Sequence, residues 1–202
     1  MPLYNNPHRR KKQHALGPEG QEVAASGIFF FTRMPDGRRR GLFQIEDMKL
    51  GKVWTPALSL FGGKLNSGEG ILLAAIREFR EETGASSDPA IRAHVEHLLR
   101  PLSDITPKSF YVPESKYLVY AEEVNEVDAL EQLPRLYADA FGGKTSADLV
   151  DGDYTRAATR LVVMDLEDIA GLCDSLPVKV ELQGFLREFR RKIHYTVDTV
   201  IQ

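Results

Sequence analysis

The pattern of apolar and polar positions predicts a sheet built from short, mostly buried strands. An apolar run in residues 22–33 is followed by Met34-Pro35-Asp36-Gly37, a turn in which proline fixes φ and glycine permits a positive φ. The chain then returns as a partner strand at 42–45. The other predicted strands lie at 53–61, ending at Gly62-Gly63, at 117–121 and at 161–164.

Apolar residues at three- and four-residue spacing predict helices between these strands. One helix covers residues 69–83 and ends before Gly84, a residue typical of helix C-termini. Its apolar stripe consists of Leu72, Ile76 and Phe79. A second helix follows the cap Asp88, although residues 97–102 fit a strand equally well, and a third runs from 177 to 193. Strands around helices without regular βαβ alternation indicate an α+β sandwich.

Composition excludes several classes of protein. With 43% hydrophobic and 27% charged residues, the chain of 202 residues is globular rather than disordered. No apolar run approaches the roughly 20 residues that span a bilayer, so no membrane partner is expected. The lone Cys173 favours a reducing compartment, and residues 1–8 lack the apolar core of a secretory signal. We therefore expect a cytoplasmic protein; a mitochondrial presequence is disfavoured, because Pro2 and Pro7 interrupt an amphipathic helix.

Charge is distributed unevenly along the chain. The net charge is −3, yet residues 1–14 carry four basic side chains and no acid. We interpret 1–20 as a basic, flexible arm and 21–202 as a single domain. The arm is either a solvated tail or a contact for a polyanion such as RNA. Residues 123–158 exceed an ordinary connection and are predicted to be either a small helical insertion or a functional loop. As an insertion, the segment could also serve as a homodimer interface.

Three carboxylates occupy one face of the helix over 69–83. Glu78, Glu81 and Glu82 stand at i, i+3 and i+4, and we expect them to point nearly opposite the apolar stripe. Like charges at this spacing repel by about a few tenths of a kcal/mol per pair, and a divalent cation relieves the repulsion. Oxygen ligands favour Mg²⁺, Mn²⁺ or Ca²⁺ over Zn²⁺. On geometry alone, an ordinary acidic surface helix remains an alternative.

The segment GKLNSGEGILLAAIREFREETGA, residues 63–85, resembles the Nudix box at every specified position. The matching residues are Gly63, Glu69, Arg77-Glu78-Phe79, Glu81-Glu82 and Gly84-Ala85. The order of strands before and after the box, and of a closing C-terminal helix, is similar as well. The resemblance implies a Nudix-type α/β/α sandwich with a mixed sheet, in which the box forms a loop, a helix and a loop. It also implies hydrolysis of a nucleoside diphosphate linked to another moiety, with Mg²⁺ or Mn²⁺.

The resemblance also implies roles for individual residues. The implied metal ligands are Glu78, Glu81, Glu82 and the backbone carbonyl of Gly62. Arg77 resembles the family's orienting arginine, which holds a box glutamate by a charge-assisted pair. Glu69 is similar to a supporting acid of the family.

The general base is less well defined by the sequence. In many relatives it lies outside the box, on a loop after a later strand. The acids at such positions here are Glu122, Glu123, Asp151 and Asp153. Asp151 and Asp153 flank a glycine before a strand, from which they could reach a metal, while Glu81 could itself serve as the base. The alternative for each outside acid is a solvated surface carboxylate.

Specificity lies outside the box, and three readings remain open. The preferred one is a nucleotide-type small molecule, ADP-ribose or a nucleotide sugar, although the proline that marks ADP-ribose relatives is offset by one position at Pro101. The second is an RNA 5′ end held by basic residues of the arm and by Arg38-Arg39-Arg40. The third is a non-catalytic binding subunit. Aromatic residues that could stack on a base are Trp54, Phe110, Tyr111 and Tyr117.

Overall fold

A computed structural model of the chain describes residues 14–50, 53–104, 107–142 and 158–169, and five residues further on. Those five are Ile193, Thr196, Val197, Thr199 and Val200, all helical. The strands are β1 (Ala15–Leu16), β2 (Glu22–Val23), β3 (Ala25–Arg33), β4 (Arg39–Leu50), β5 (Val53–Ser59), β6 (Phe61–Lys64), β7 (Lys108–Val112), β8 (Tyr117–Glu123) and β9 (Ala158–Asp165). The helices are α1 (Ile71–Glu82), α2 (Pro89–Leu99), α3 (Pro101–Asp104) and α4 (Val127–Phe141). Within these ranges no helix is long and apolar enough to cross a bilayer.

Seven of the described strands form one mixed sheet. Its central order is β5-β4-β3-β8-β7, with β6 paired to β3 and β9 paired to β4. β3 and β8 run parallel, and the other pairs of this sheet are antiparallel. β3 divides one of its edges between two partners: residues 25–28 pair with β6, and residues 31–33 pair with β4. The mixed sheet confirms the α+β prediction.

An apolar cluster covers each face of this sheet. Ile28 and Phe30 belong to the cluster that includes buried residues of α1, α2 and α4. Phe29, between them in sequence, belongs to the opposite cluster, where it is joined by the helical residues Ile193 and Val197. Successive strand residues point to opposite faces, so one apolar run feeds both clusters. Helices on both faces give the predicted α/β/α sandwich.

The predicted helix boundaries hold in the box region. The Asp88 carboxylate accepts the N–H of Ile91 at 2.9 Å, so it caps α2 as expected. The ambiguous residues after His97 are helical, and α3 follows almost at once. At the end of α1, Gly84 has a φ of +75°, the left-handed conformation that glycine adopts most easily.

The segment predicted as an insertion contributes a helix to the main core. α4 buries four side chains in the same cluster as α1 and α2: Ala129, Leu130, Leu133 and Tyr137. A Cβ on Gly84 would lie 2.5 Å from the Phe141 ring, so the end of α4 packs directly on the end of the box. Asp151 and Asp153 lie outside the described residues, as do the basic residues of the arm and most of the predicted helix from 177 to 193.

One sequence expectation about the strands needs correction, and one strand was not predicted. Gly62 and Gly63 do not end a strand but lie within β6, opposite Gly27 and Ser26 of β3. β7, which pairs with β8, was not predicted, because its sequence KSFYV shows no clear alternation of apolar and polar residues.

Two arginines of the basic triplet 38–40 are held in ion pairs. Arg38 donates to Asp36 at 2.8 Å and to Asp165 of β9 at 3.3 Å. Arg40 donates to Glu131 of α4, and its Nε lies 3.3 Å from Asp165 Oδ1. Arg40 therefore connects β4 to β9 and to α4, and Arg38 connects the preceding turn to β9.

Candidate active site

α1 lies close against the sheet because small side chains face it. Ala74 and Ala75 are fully buried, and the ring of Phe79 packs on Phe30 and Phe61 at centroid distances of 5.1 and 4.9 Å. The Ser26 hydroxyl of β3 donates to the carbonyl of Ile71 at 2.8 Å, which ties the first turn of the helix to the sheet. These contacts set the position of the acidic residues further along α1.

The sequence suggested that the three acids point away from the buried face of α1. The structure corrects this prediction. Of the predicted stripe only Phe79 is fully buried, whereas Leu72 and Ile76 are half-buried. Glu78 follows Ala74 by four positions, which places it on the buried face of the helix. The side chain of Glu78 is only 18% exposed and that of Glu81 32%. Glu78 and Glu82 therefore contact β6, with Glu81 beside them on the helix, and we refer to this junction of α1 and β6 as the cleft.

Arg77 is the centre of the hydrogen bonding in this cleft. It donates to Glu69 through Nε and Nη2, at 2.8 and 3.1 Å. Its Nη1 donates to Glu78 at 2.8 Å and to Glu81 at 3.2 Å, and Nη2 also reaches the carbonyl of Lys64 at 3.1 Å. One guanidinium thus spans three acids of the box and the backbone of β6, which is the geometry that a planar, five-donor group allows.

The pKa values of these groups reflect the same contacts. The hydrogen bond from Arg77 lowers the pKa of Glu69, and the hydrogen bond to Glu69 raises the pKa of Arg77 in turn. Burial raises the pKa of Glu78 despite its bond to Arg77. Removing a carboxylate from water disfavours its charged form, and here that effect exceeds the attraction of a single guanidinium. Glu78 is thus an acid for which a further positive charge would be favourable.

Two glycines of β6 bring the backbone against the acids of α1. A Cβ on Gly63 would overlap the carboxyl group of Glu78. Gly62 has a φ of +148°, where a side chain would be strained, and its N–H donates to Glu82 Oε2 at 2.8 Å. Glu78 and Glu82 are thus both held against the backbone at this edge of β6.

The donor set at this edge fits a hard divalent cation in its chemistry. It consists of the carboxylates of Glu78, Glu81 and Glu82 and the Gly62 carbonyl, all oxygens of the kind that Mg²⁺ and Mn²⁺ prefer. Across the described ranges, however, no three His, Cys, Asp or Glu side chains are grouped closely enough to hold an ion as they stand. Arg77 Nη1 reaches both Glu78 and Glu81. The assignment of these four ligands remains a prediction.

Neither Glu122 nor Glu123, the two candidate bases outside the box that the structure describes, lies at this edge. Glu122 of β8 lies opposite Phe30 of β3, whereas Gly62 lies opposite Gly27, three residues or about 10 Å back along the strand. Glu123 lies one residue further along β8, where it forms an ion pair with Arg33 at 3.4 Å. Of the box acids, Glu81 is at the site and partly exposed.

One aromatic candidate, Tyr117, has a different place from the one that the sequence suggested. Tyr117 is 5% exposed, so it cannot stack on a base as the sequence had suggested. Its hydroxyl instead donates to the carbonyl of Phe61, the residue before Gly62. The contact of Tyr117 with Gly27 and Gly62, which lie on two other strands, depends on the tertiary fold. Periodicity along the chain gives no signal for such a contact.

Comparisons with known proteins identify the family of the chain. The family model of the NUDIX domain matches residues 30–145. No curated protein sequence matches the chain significantly. Similar solved structures include an Ap4A hydrolase binary complex from C. elegans, with 18% identity, coverage of 82% of this chain and 94% of that one, and a TM-score of 0.36.

Two further solved structures extend the comparison. A Nudix hydrolase, RenU, from M. smegmatis is 16% identical over 93% of this chain and 97% of that one, with a TM-score of 0.39. A MERS1–RNA complex from T. brucei is 19% identical over 79% of this chain and 56% of that one, also with a TM-score of 0.39. Similarity at this level says nothing about the substrate of this chain.

Proposed function

Because the chain belongs to the Nudix hydrolase family, we propose that it hydrolyses a phosphoanhydride bond in a nucleoside diphosphate linked to another moiety, with Mg²⁺ or Mn²⁺. The preferred substrates are ADP-ribose and nucleotide sugars. The observation that carries the proposal is the meeting of α1 and β6: the Glu78 carboxyl lies against Gly63, and Glu82 is bound by the Gly62 N–H at 2.8 Å. Two carboxylates of α1 are thereby held against the backbone of β6.

The residues of the box share three parts in this proposal, namely binding the ion, orienting its ligands and activating water. Glu78, Glu82, Glu81 and the Gly62 carbonyl would hold the ion, which when bound neutralises the diphosphate and lowers the pKa of an attacking water. Arg77 orients Glu78 and Glu81 through one nitrogen, while its other donors are fixed by Glu69. Glu81, partly exposed at the cleft, is the base that the described residues favour, and Asp151 and Asp153 remain candidates.

The test is a panel of nucleoside diphosphate derivatives incubated with Mg²⁺ or Mn²⁺. We expect one member of the panel to be split into two monophosphates, and Glu82→Gln to abolish that turnover. Glu96→Gln is the matched control. Glu96 is a half-exposed glutamate of α2 that accepts two hydrogen bonds from Arg80 of α1, away from β6. Inertness of the unmodified protein across the whole panel and both metals would refute the proposal.

No observation on the described residues favours an RNA end as the substrate. Two of the three arginines that suggested a phosphate contact, Arg38 and Arg40, are paired with Asp36, Asp165 and Glu131. A non-catalytic role is disfavoured by the complete box, since a binding subunit has no need of every carboxylate. We therefore carry a single proposal forward. A homodimer and a cytoplasmic location stay predictions.

A further inference from the structure

The side chain of Tyr117 crosses one strand to reach another. Tyr117 lies on β8, opposite Ala25 of β3, and its hydroxyl donates to the carbonyl of Phe61 on β6 at 3.3 Å. β3 runs between β8 and β6, and Gly27 of β3 lies beneath the tyrosine: a Cβ on Gly27 would overlap the hydroxyl. Because Gly27 of β3 has no side chain, Tyr117 of β8 can contact β6, the strand that carries Gly62 and Gly63.

Gly62 completes this arrangement from the other side. It lies directly opposite Gly27 in the antiparallel pair, and a Cβ there would also overlap the Tyr117 hydroxyl. Two facing glycines thus form a slot for one hydroxyl, in a region where Tyr117 is 5% exposed and therefore shielded from water. A buried hydroxyl in such a slot is held in a narrow range of positions.

The hydroxyl and a glutamate of the box are bound to the two ends of one peptide group. The carbonyl of Phe61 accepts from Tyr117, and the N–H of the same peptide, which belongs to Gly62, donates to Glu82 Oε2 at 2.8 Å. Donation to the carbonyl polarises the peptide and strengthens the bond that its N–H makes, as in other chains of hydrogen bonds. A bond to a charged carboxylate is the kind that gains most from such polarisation.

We propose that Tyr117 is a positioning residue that holds Glu82, and the Gly62 carbonyl beside it, in the geometry that binds the divalent cation. Tyr117 acts through the Phe61–Gly62 peptide and touches neither the ion nor the substrate. The inference rests on the proposed function, because it takes the edge of β6 as the metal site. It adds a residue from the opposite face of the sheet, 32 positions beyond the end of the box.

The test removes one oxygen atom. Tyr117→Phe keeps the ring and loses the hydroxyl, while Tyr111→Phe is the matched control, since the Tyr111 hydroxyl donates to the carbonyl of Glu22 at 2.7 Å, away from β6. Mn²⁺ binding without substrate is followed by electron paramagnetic resonance. We expect Tyr117→Phe to bind Mn²⁺ about three- to tenfold more weakly, the range that one net hydrogen bond supplies, and Tyr111→Phe to bind like the unmodified protein.

A second readout reports on the peptide itself. The ¹H–¹⁵N resonance of Gly62 should shift to a position typical of a weaker hydrogen bond in Tyr117→Phe, and should stay in place in Tyr111→Phe. If Tyr117→Phe binds Mn²⁺ as the unmodified protein does and leaves the Gly62 resonance unmoved, the inference is wrong while the proposed function stands. If the unmodified protein binds no Mn²⁺ even with nucleotide present, the proposed function fails first.

Discussion

Arg77 holds Glu69 with two parallel hydrogen bonds, from Nε to Oε1 at 2.8 Å and from Nη2 to Oε2 at 3.1 Å. This bidentate pair fixes the plane of the guanidinium, and the remaining nitrogen is thereby directed at Glu78 and Glu81. Glu69 also accepts the N–H of Asn66 at 2.9 Å, so the loop before α1 is tied into the same set of bonds. The orientation of Glu78 and Glu81 therefore depends on Glu69, which need not contact the metal.

Replacing Arg77 by lysine should therefore impair the site although the charge is retained. An ammonium cannot reproduce the bidentate contact with Glu69 while also bridging Glu78 and Glu81. We expect Arg77→Lys to lower kcat/KM for the cleaved substrate by roughly 10- to 100-fold, the usual loss when a partner that orients metal ligands is changed. Steady-state kinetics at saturating metal would measure it.

Arg80→Lys provides the control for this prediction. Arg80 makes an equally bidentate pair, with Glu96 at 2.7 Å through each nitrogen, but that pair is half-exposed and joins α1 to α2. Its loss should leave kcat/KM nearly unchanged. Equal losses in the two variants would show that Arg77 acts through general stability and not through the orientation of the acids.

Gly63→Ala should damage the site by steric overlap. The added methyl group would occupy space taken by the Glu78 carboxyl, so either β6 or the glutamate must move. We expect a loss of about 1–3 kcal/mol in the free energy of unfolding, as for other overpacked positions, together with a large fall in kcat. Gly70→Ala is the control, because φ at Gly70 is −68° and the nearest atom to a Cβ there is 3.7 Å away. A fully active Gly63→Ala protein would contradict the placement of Glu78.

Much of this site could be predicted from the sequence because it is local. The spacing of Glu78, Glu81 and Glu82 on one helix face, the cap at Asp88 and the glycine at position 84 all depend on residues a few positions apart. The structure bears out the helix boundaries and the α/β/α layers. What it changes is the direction of the acidic face, since the fully buried residues of α1 are Ala74, Ala75 and Phe79 rather than the predicted stripe.

Gly84→Ala tests the contact between the box and α4. At a φ of +75° any side chain is strained, and here the new Cβ would also lie 2.5 Å from the ring of Phe141. Gly20→Ala has nearly the same φ, +78°, with no atom within 4 Å of the new Cβ. We expect about 1–2 kcal/mol of destabilisation at Gly20 and a larger value at Gly84, measured by denaturant unfolding. Equal values would mean that Phe141 does not press on the end of the box.

Two buried threonines should respond in opposite directions to the same substitution. The hydroxyl of Thr83 donates to the carbonyl of Phe79 at 2.6 Å, whereas Thr32 Oγ1 is buried and has no hydrogen-bond partner in the parts of the chain that the structure covers. Thr83→Val should cost about 1 kcal/mol of unfolding free energy. Thr32→Val should be neutral or stabilising, because it replaces an unsatisfied hydroxyl by a methyl group of the same shape. A loss at Thr32 as large as that at Thr83 would overturn this reading.

The features that could not be predicted depend on contacts between distant segments. Tyr117 meets Gly27 and Gly62 only because β8 and β6 flank the same strand, and no periodicity within a strand reports which strands are neighbours. The division of β3 between two partners on one edge is of the same kind. Such relationships depend on the topology of the sheet, whereas the box can be identified from the spacing of its residues along the sequence.

The pairing of Arg38 and Arg40 with acids of β9, of α4 and of the turn before β4 changes the expected effect of ionic strength on this protein. A cluster of free arginines would release a bound polyanion as salt is added. The ion pair between Arg40 and Glu131 would instead lose part of the attraction that holds α4 against the sheet. Because Phe141 at the far end of α4 packs on Gly84, added salt would act on the end of the box through the anchoring of that helix.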